Sequence, residues 1–133
     1  MQIEALESRA LLSAGGHTVT VPLRSSAEGN LPGNFVAGHS TLLGKFTAAF
    51  NAQGQVVFTA ANGDQLIAEP LLTPTSDPAV VHAEGNFVGG TGRFTGATGT
   101  FSLDLTFIND QGDFVYQHTD PITLQRPWNG RNA

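Results

Sequence analysis

Cysteine is absent from all 133 residues. Disulfides and thiol nucleophiles are therefore excluded, and a secreted form of this chain would have to hold together by packing alone; the absence itself fits any compartment. Charge is also scarce, with 13% of residues being Asp, Glu, Lys or Arg. That fits neither a disordered chain nor a coiled coil. Six basic residues against eleven acidic ones leave a net charge of −5, and no basic run occurs. Nucleic acid and anionic membrane are poor partners for such a chain. No window approaches the about 18 consecutive apolar residues of a membrane-spanning helix. Helix-forming composition is confined to residues 1–14.

What is present is apolar and turn-rich. Apolar residues make up 40% of the chain, alongside 16 Gly, 7 Pro and 9 Phe. This length suits one domain with one core, assigned to residues 15–126 with a tail over 127–133. From His17 onward, period-2 alternation recurs between turn clusters. In 18–23, Val19, Val21 and Leu23 share a face, and Pro22 argues for an edge strand or a strand end. Residues 25–33 read as a polar loop. Residues 34–50 read as one long bent strand or two short ones, with Gly44 at a bulge or bend. Asn62-Gly63 is a strong hairpin signal joining 55–61 to 64–71. Pro70, Pro74 and Pro78 mark 70–78 as an extended loop. Strands follow at 80–88, 100–108 and 113–119, with a last one at 122–125. Seven or eight strands joined by short turns, without a strand–helix–strand pattern, predict an all-β antiparallel fold. An eight-stranded up-and-down barrel is expected, because closure removes edge strands; a sandwich is the alternative.

Residues 89–99, GGTGRFTGATG, hold five glycines in eleven positions between two strands. Such a cluster marks a fixed turn with positive φ. It is not a phosphate loop: Thr95 stands where a dinucleotide fingerprint needs its third glycine. Likewise Gly44-Lys45 is followed by Phe46, so no Walker A exists. Residues 84–99 resemble the signature of the allene oxide cyclase-like barrel superfamily, which includes the dirigent proteins. Val88, Gly89, Gly90, Thr91, Gly92, Phe94, Ala97 and Gly99 carry the match. Residues 40–47 and 60–66 look like segments of uncharacterised bacterial relatives, so the resemblance spans about 17–125. It implies an eight-stranded, calycin-like barrel with an apolar central cavity, a homodimer or homotrimer, and members that steer cyclisation by confining a reactive small molecule. The plant enzymes' catalytic residues lie outside the matching segment, so none is carried over.

The N-terminal MQIEALESRALLSA has no basic n-region, and its apolar stretch is too short for a secretory signal. Residues 6–14 resemble the LEPR-x-LL segment of many planctomycete and other bacterial surface proteins, with Ser8 at the usual proline. That resemblance implies an extracellular or cell-surface protein. The alternative is a short amphipathic helix or a disordered segment beside the domain.

His82-x-Glu84 and His118-x-Asp120 each put two metal-capable groups on one strand face. Zinc needs three or four ligands. Each pair reads as a surface or cross-strand contact, and neither a metal nor another cofactor is expected. No Gly-x-Ser-x-Gly elbow supports a hydrolytic triad. Glu69, Glu84 and Asp104 are the acids well inside predicted strands. An acid facing the interior would be a proton-transfer candidate through desolvation; facing solvent, it would be surface. Tyr116 and His118 share a strand face and complete the catalytic candidates. Phe46, Phe58, Phe87 and Phe101 are the candidate lining of an apolar ligand site. Arg93 is a candidate ligand contact; otherwise it is solvated or tied to a nearby carboxylate or carbonyl.

Three functions fit this pattern. The first is a barrel binding an apolar small molecule. The second is a cofactor-free cyclase or isomerase using an interior ionisable group. The third is a structural or interaction module with a filled core.

Overall fold

A computed structural model of the protein describes residues 16–127. The targeting-like or helical segment at 1–14, and the tail after Pro127 with Trp128, lie outside the described residues. The strands are β1 (Gly16–Asn30), β2 (Phe35–Ser40), β3 (Gly44–Phe50), β4 (Val56–Ala60), β5 (Gln65–Pro74), β6 (Val80–Gly90), β7 (Gly99–Phe107) and β8 (Asp113–Pro127). Each pairs antiparallel with the next, and β8 returns to β1 to close the barrel. The up-and-down barrel is therefore the architecture, and the sandwich is not. No helix among the described residues is long and apolar enough to cross a membrane.

Strand lengths depart from the sequence reading in three places. Residues 25–30 are not a loop: they continue β1, which pairs with β8 in one register from Gly16↔Pro127 to Asn30↔Asp113. Their polar look comes from an inner face of small residues. A side chain at Gly29 would collide with the Phe35 carbonyl and come within 2.7 Å of the Phe114 ring. Pro22 lies inside β1, opposite Pro121. It is tolerated because β2 pairs with β1 only from Ser25 onward, so Pro22 faces no ladder on that side. Pro70 and Pro74 lie inside β5 and not in a loop. Beyond Ala68, β5 has left β4 behind and pairs with β6 alone.

Pro121 has a further consequence. β8 is one strand from Asp113 to Pro127, not two. At its start it pairs with β7 through Thr106↔Val115 and Phe107↔Phe114. The two strands meet again, in the same register, at Thr98↔Thr123, where each residue's N–H reaches the other's carbonyl at 2.9 and 2.8 Å. Hydrogen-bonded pairs recur every second residue in an antiparallel ladder. Thr100 opposite Pro121 would be the next such pair, and Pro121 has no N–H to give. The ladder is parted between these ends.

The turns place unlike chemistry at the two ends of the barrel. At one end, residues 91–98 form a 3-10 turn (Gly92–Phe94) that drives Phe94 inward to 1% exposure. Leu43, Leu66, Ala97, Ile122 and Leu124 are buried in the same core, and this end is closed. Gly89, Gly92, Gly96 and Gly99 all adopt positive φ, as the glycine spacing predicts. At the other end lie the turns after β1, β3, β5 and β7, and this end forms a mouth.

Candidate functional site

Two concave sites follow from this frame. The first is the mouth. Asparagines staple its turns together. Asn30 donates through Nδ2 to Asp113 Oδ1 at 2.8 Å and to the Gln111 carbonyl at 3.0 Å. Asn34 exchanges two bonds with the Phe50 backbone, at 2.7 and 3.0 Å. The Asn109 amide, and after it the Asn30 amide, hold the Asp113 carboxyl below the usual carboxylate range. Inside this frame is a cavity of about 80 Å³ with an almost wholly apolar lining that includes Phe58, Phe101, Leu103, Leu105, Phe114 and Tyr116. Leu31, Phe35 and Leu72 form an apolar rim, and Phe35 is 52% exposed. Tyr116 supplies the one titratable group in that lining. Burial pushes its phenol pKa up, so it stays neutral and acts as a hydrogen-bonding group rather than an acid.

The second site is an open groove of about 950 Å³ along the parted β7–β8 seam. On the β8 side, Asp120 Oδ2 bonds His118 Nδ1 at 2.6 Å. Both side chains are largely buried, at 8% and 16% exposure. The same Asp120 oxygen accepts the Ser102 backbone N–H at 3.3 Å. A side-chain carboxylate thus takes a donor that the parted ladder leaves free. The Tyr116 ring lies beside His118 with centroids 5.6 Å apart.

Across the groove, His82 of β6 is held between carboxylates. Its Nδ1 meets Asp104 Oδ1 at 2.9 Å and its Nε2 meets Glu84 Oε1 at 3.1 Å. The Asp104 bond, and after it the Glu84 bond, raise the His82 pKa. Ser102 Oγ lies 3.3 Å from the same Nε2. Asp104, His82 and Ser102 thus occur in the order of a hydrolytic triad. A triad histidine must accept the serine proton on Nε2. Here Glu84 also occupies Nε2 and favours the protonated ring, which cannot accept that proton. The cluster is an ion-pair network on the outer surface.

The sequence candidates separate cleanly. Glu69, Glu84 and Asp104 point outward, Glu69 accepting a 2.9 Å bond from Gln55 Nε2. Tyr116 and His118 lie on the inward-facing set of β8, and Tyr116 borders both sites. Phe58 and Phe101 line the mouth cavity. Phe46 and Phe87 are packed in the core, against Phe58 at 5.6 Å and Phe101 at 5.3 Å. Arg93 is at the closed end, where its Nε meets Asp64 Oδ2 at 3.1 Å. Its guanidinium lies 5.1 Å from the Phe94 ring centroid. Among the described residues, no group of three or more His, Cys, Asp or Glu side chains is arranged to hold a metal.

Sequence reading passed over Ser102, and over the rim residues Leu31, Phe35 and Leu72. The available signal for the seam was Pro121 directly after His118-x-Asp120, since a proline beside a strand pattern warns of an interrupted ladder. No family model, curated protein or solved structure matches the chain.

Proposed function

We propose that the protein is a small-molecule-binding barrel that takes the apolar end of its ligand into the mouth. The observation carrying this reading is the open, stapled mouth, with an apolar rim above an apolar cavity. Exposed apolar side chains gathered around a concavity mark contact sites more often than scattered ones do. The cavity size narrows the ligand class. Drug-sized ligands occupy about 300–1,000 Å³, and an apolar cavity of about 150 Å³ accepts benzene. At about 80 Å³, this one suits a slender alkyl end, with the rest of the ligand lying against Leu31, Phe35 and Leu72. The glycine-rich resemblance to the allene oxide cyclase-like superfamily supports the same reading, and the 6–14 segment supports a surface or extracellular setting.

Binding is favoured over cyclisation because the lining of the mouth cavity carries no carboxylate and no histidine. The three acidic candidates point away from the interior, and the mouth's one titratable group is a neutral phenol. The filled-core module is the competing reading, favoured by the small cavity volume. Methyl NMR with a series of linear alcohols separates the two. A binding barrel shows saturable shifts at Leu72, Leu103 and Leu105. Its affinity should rise about fourfold per methylene, as expected from about 0.8 kcal/mol for each buried CH₂, until the cavity is full. The Leu66 and Leu124 methyls at the closed end stay unmoved. Shifts that never saturate, or that spread equally to both ends, would leave the filled-core module.

A further inference from the structure

One polar side chain inside the mouth is uncommitted. The cavity lining holds three polar side chains, those of Asn30, Asn34 and Tyr116. Asn30 commits its amide N–H groups to Asp113 and Gln111 and its Oδ1 to the Gly33 N–H. Asn34 commits both ends of its amide to the Phe50 backbone. Tyr116 has no such partner. Among the described residues its hydroxyl makes no hydrogen bond, and burial alone moves its pKa.

The position of Tyr116 suits a ligand contact. It is 7% exposed and follows Phe114 on the inward set of β8, three residues inside Asp113, where the strand begins at the mouth. That is about 10 Å along a strand. The residue also borders the seam groove, but its hydroxyl is on the cavity side: in the open groove it would keep its water and its ordinary pKa. A buried O–H without an acceptor is costly. Water is a poor remedy, because it needs roughly two to four polar partners, and this lining offers one uncommitted side chain.

The walls define the chemistry of the missing acceptor. The lining contains no Lys, Arg or His, so a carboxylate or phosphate brought to Tyr116 would lose its hydration unpaired. An ammonium ion has no lone pair to offer. An alcohol would accept the bond but bury a second O–H with no acceptor of its own. A ketone oxygen accepts and carries no donor, so it matches what the phenol supplies.

We propose that the buried end of the ligand carries one uncharged carbonyl oxygen, as in an alkyl ketone, and that the Tyr116 hydroxyl donates to it. This inference rests on the mouth being the ligand site. The alkyl chain beyond the carbonyl runs out toward Leu31, Phe35 and Leu72. Tyr116 thereby sets specificity, favouring a ketone over an alcohol of equal length.

The test titrates two six-carbon probes, butyl methyl ketone and n-hexanol, into the full chain and follows the Leu103 and Leu105 methyls by NMR. Tyr116→Phe keeps the ring and removes only the hydroxyl. It is expected to weaken the ketone about fivefold, the effect of one net hydrogen bond, and to leave the alcohol within about twofold. A packing role for Tyr116 would move both probes together. The carbonyl infrared stretch gives a reading that needs no variant. Bound to the native protein, the ketone should absorb at a lower frequency than it does in hexane; bound to Tyr116→Phe, it should absorb at the hexane position. Saturable ketone binding that the substitution leaves unchanged, an equal change for both probes, or a native-bound carbonyl at the hexane position would each overturn the carbonyl assignment while leaving the mouth as the ligand site. No saturable shift from either probe would remove the mouth reading and this inference with it.

Discussion

The two ends of one barrel are finished in opposite ways. At the closed end, glycines with positive φ fold the chain back and bury Phe94. Gly92 is the tightest of these positions: a side chain there would collide with the Asp64 carboxylate, and its φ is +56°. Asp64 is held in place by Arg93, whose backbone N–H and side chain both bond it and lower its pKa. At the mouth, asparagine side chains staple the turns while Leu31, Phe35 and Leu72 remain in solvent. The closed end spends its unusual residues on completing a core. The mouth leaves apolar surface uncovered inside a frame that is already ordered, as expected where a partner molecule supplies the missing contacts.

The largest expected effect breaks the plug. Phe94→Ala should lower stability by about 3–5 kcal/mol, the usual range for removing a buried phenylalanine. Phe35→Ala at the mouth should change it by less than about 0.5 kcal/mol, as for other exposed positions. Urea unfolding of both variants checks the contrast, and equal losses would erase it.

A smaller effect lies at the seam. Pro121→Ala supplies an N–H where Thr100 waits for one. The new amide should be protected from hydrogen exchange. The gain from one hydrogen bond and the loss of proline stiffness should hold the net stability change within about 1 kcal/mol. Free exchange at position 121 would mean that something other than the missing donor parts the ladder.

The smallest effect is electrostatic. His82 should titrate above the ordinary histidine value of about 6.5, because Asp104 and then Glu84 favour its charged form. A raised folded-state pKa gives stability that is fully present below the unfolded value and is lost as pH rises through the folded one. Carbon-13 NMR of the ring should therefore show a midpoint above that of a free histidine. Asp104→Asn should lower it more than Glu84→Gln. A midpoint at the free value would show that the ion-pair network does not hold in solution.

Much of this was legible in the sequence, and the remainder has physical causes. Asn62-Gly63 and the alternation of Phe101, Leu103, Leu105 and Phe107 lead directly to real elements. Residues 25–30 misled because Ser25, Ala27 and Gly29 are small to fit a crowded inner face, and small residues also spell a loop. The prolines misled because a barrel of unequal strands has local edges even when it has no edge strand. Which acids face inward depends on register, and a one-residue slip exchanges the faces. Glu69, Glu84 and Asp104 could therefore be nominated from sequence but not oriented. The seam was hidden because it depends on two strands meeting across Pro121.

The most direct test of the proposal that the mouth accepts a ligand is a crystal structure under xenon pressure, since xenon enters small apolar cavities that are open and dry. The expected result is a xenon atom beneath the rim, against Phe58, Leu105 and Phe114, and none near Phe94. A mouth without xenon, or equal occupancy at both ends, would contradict it.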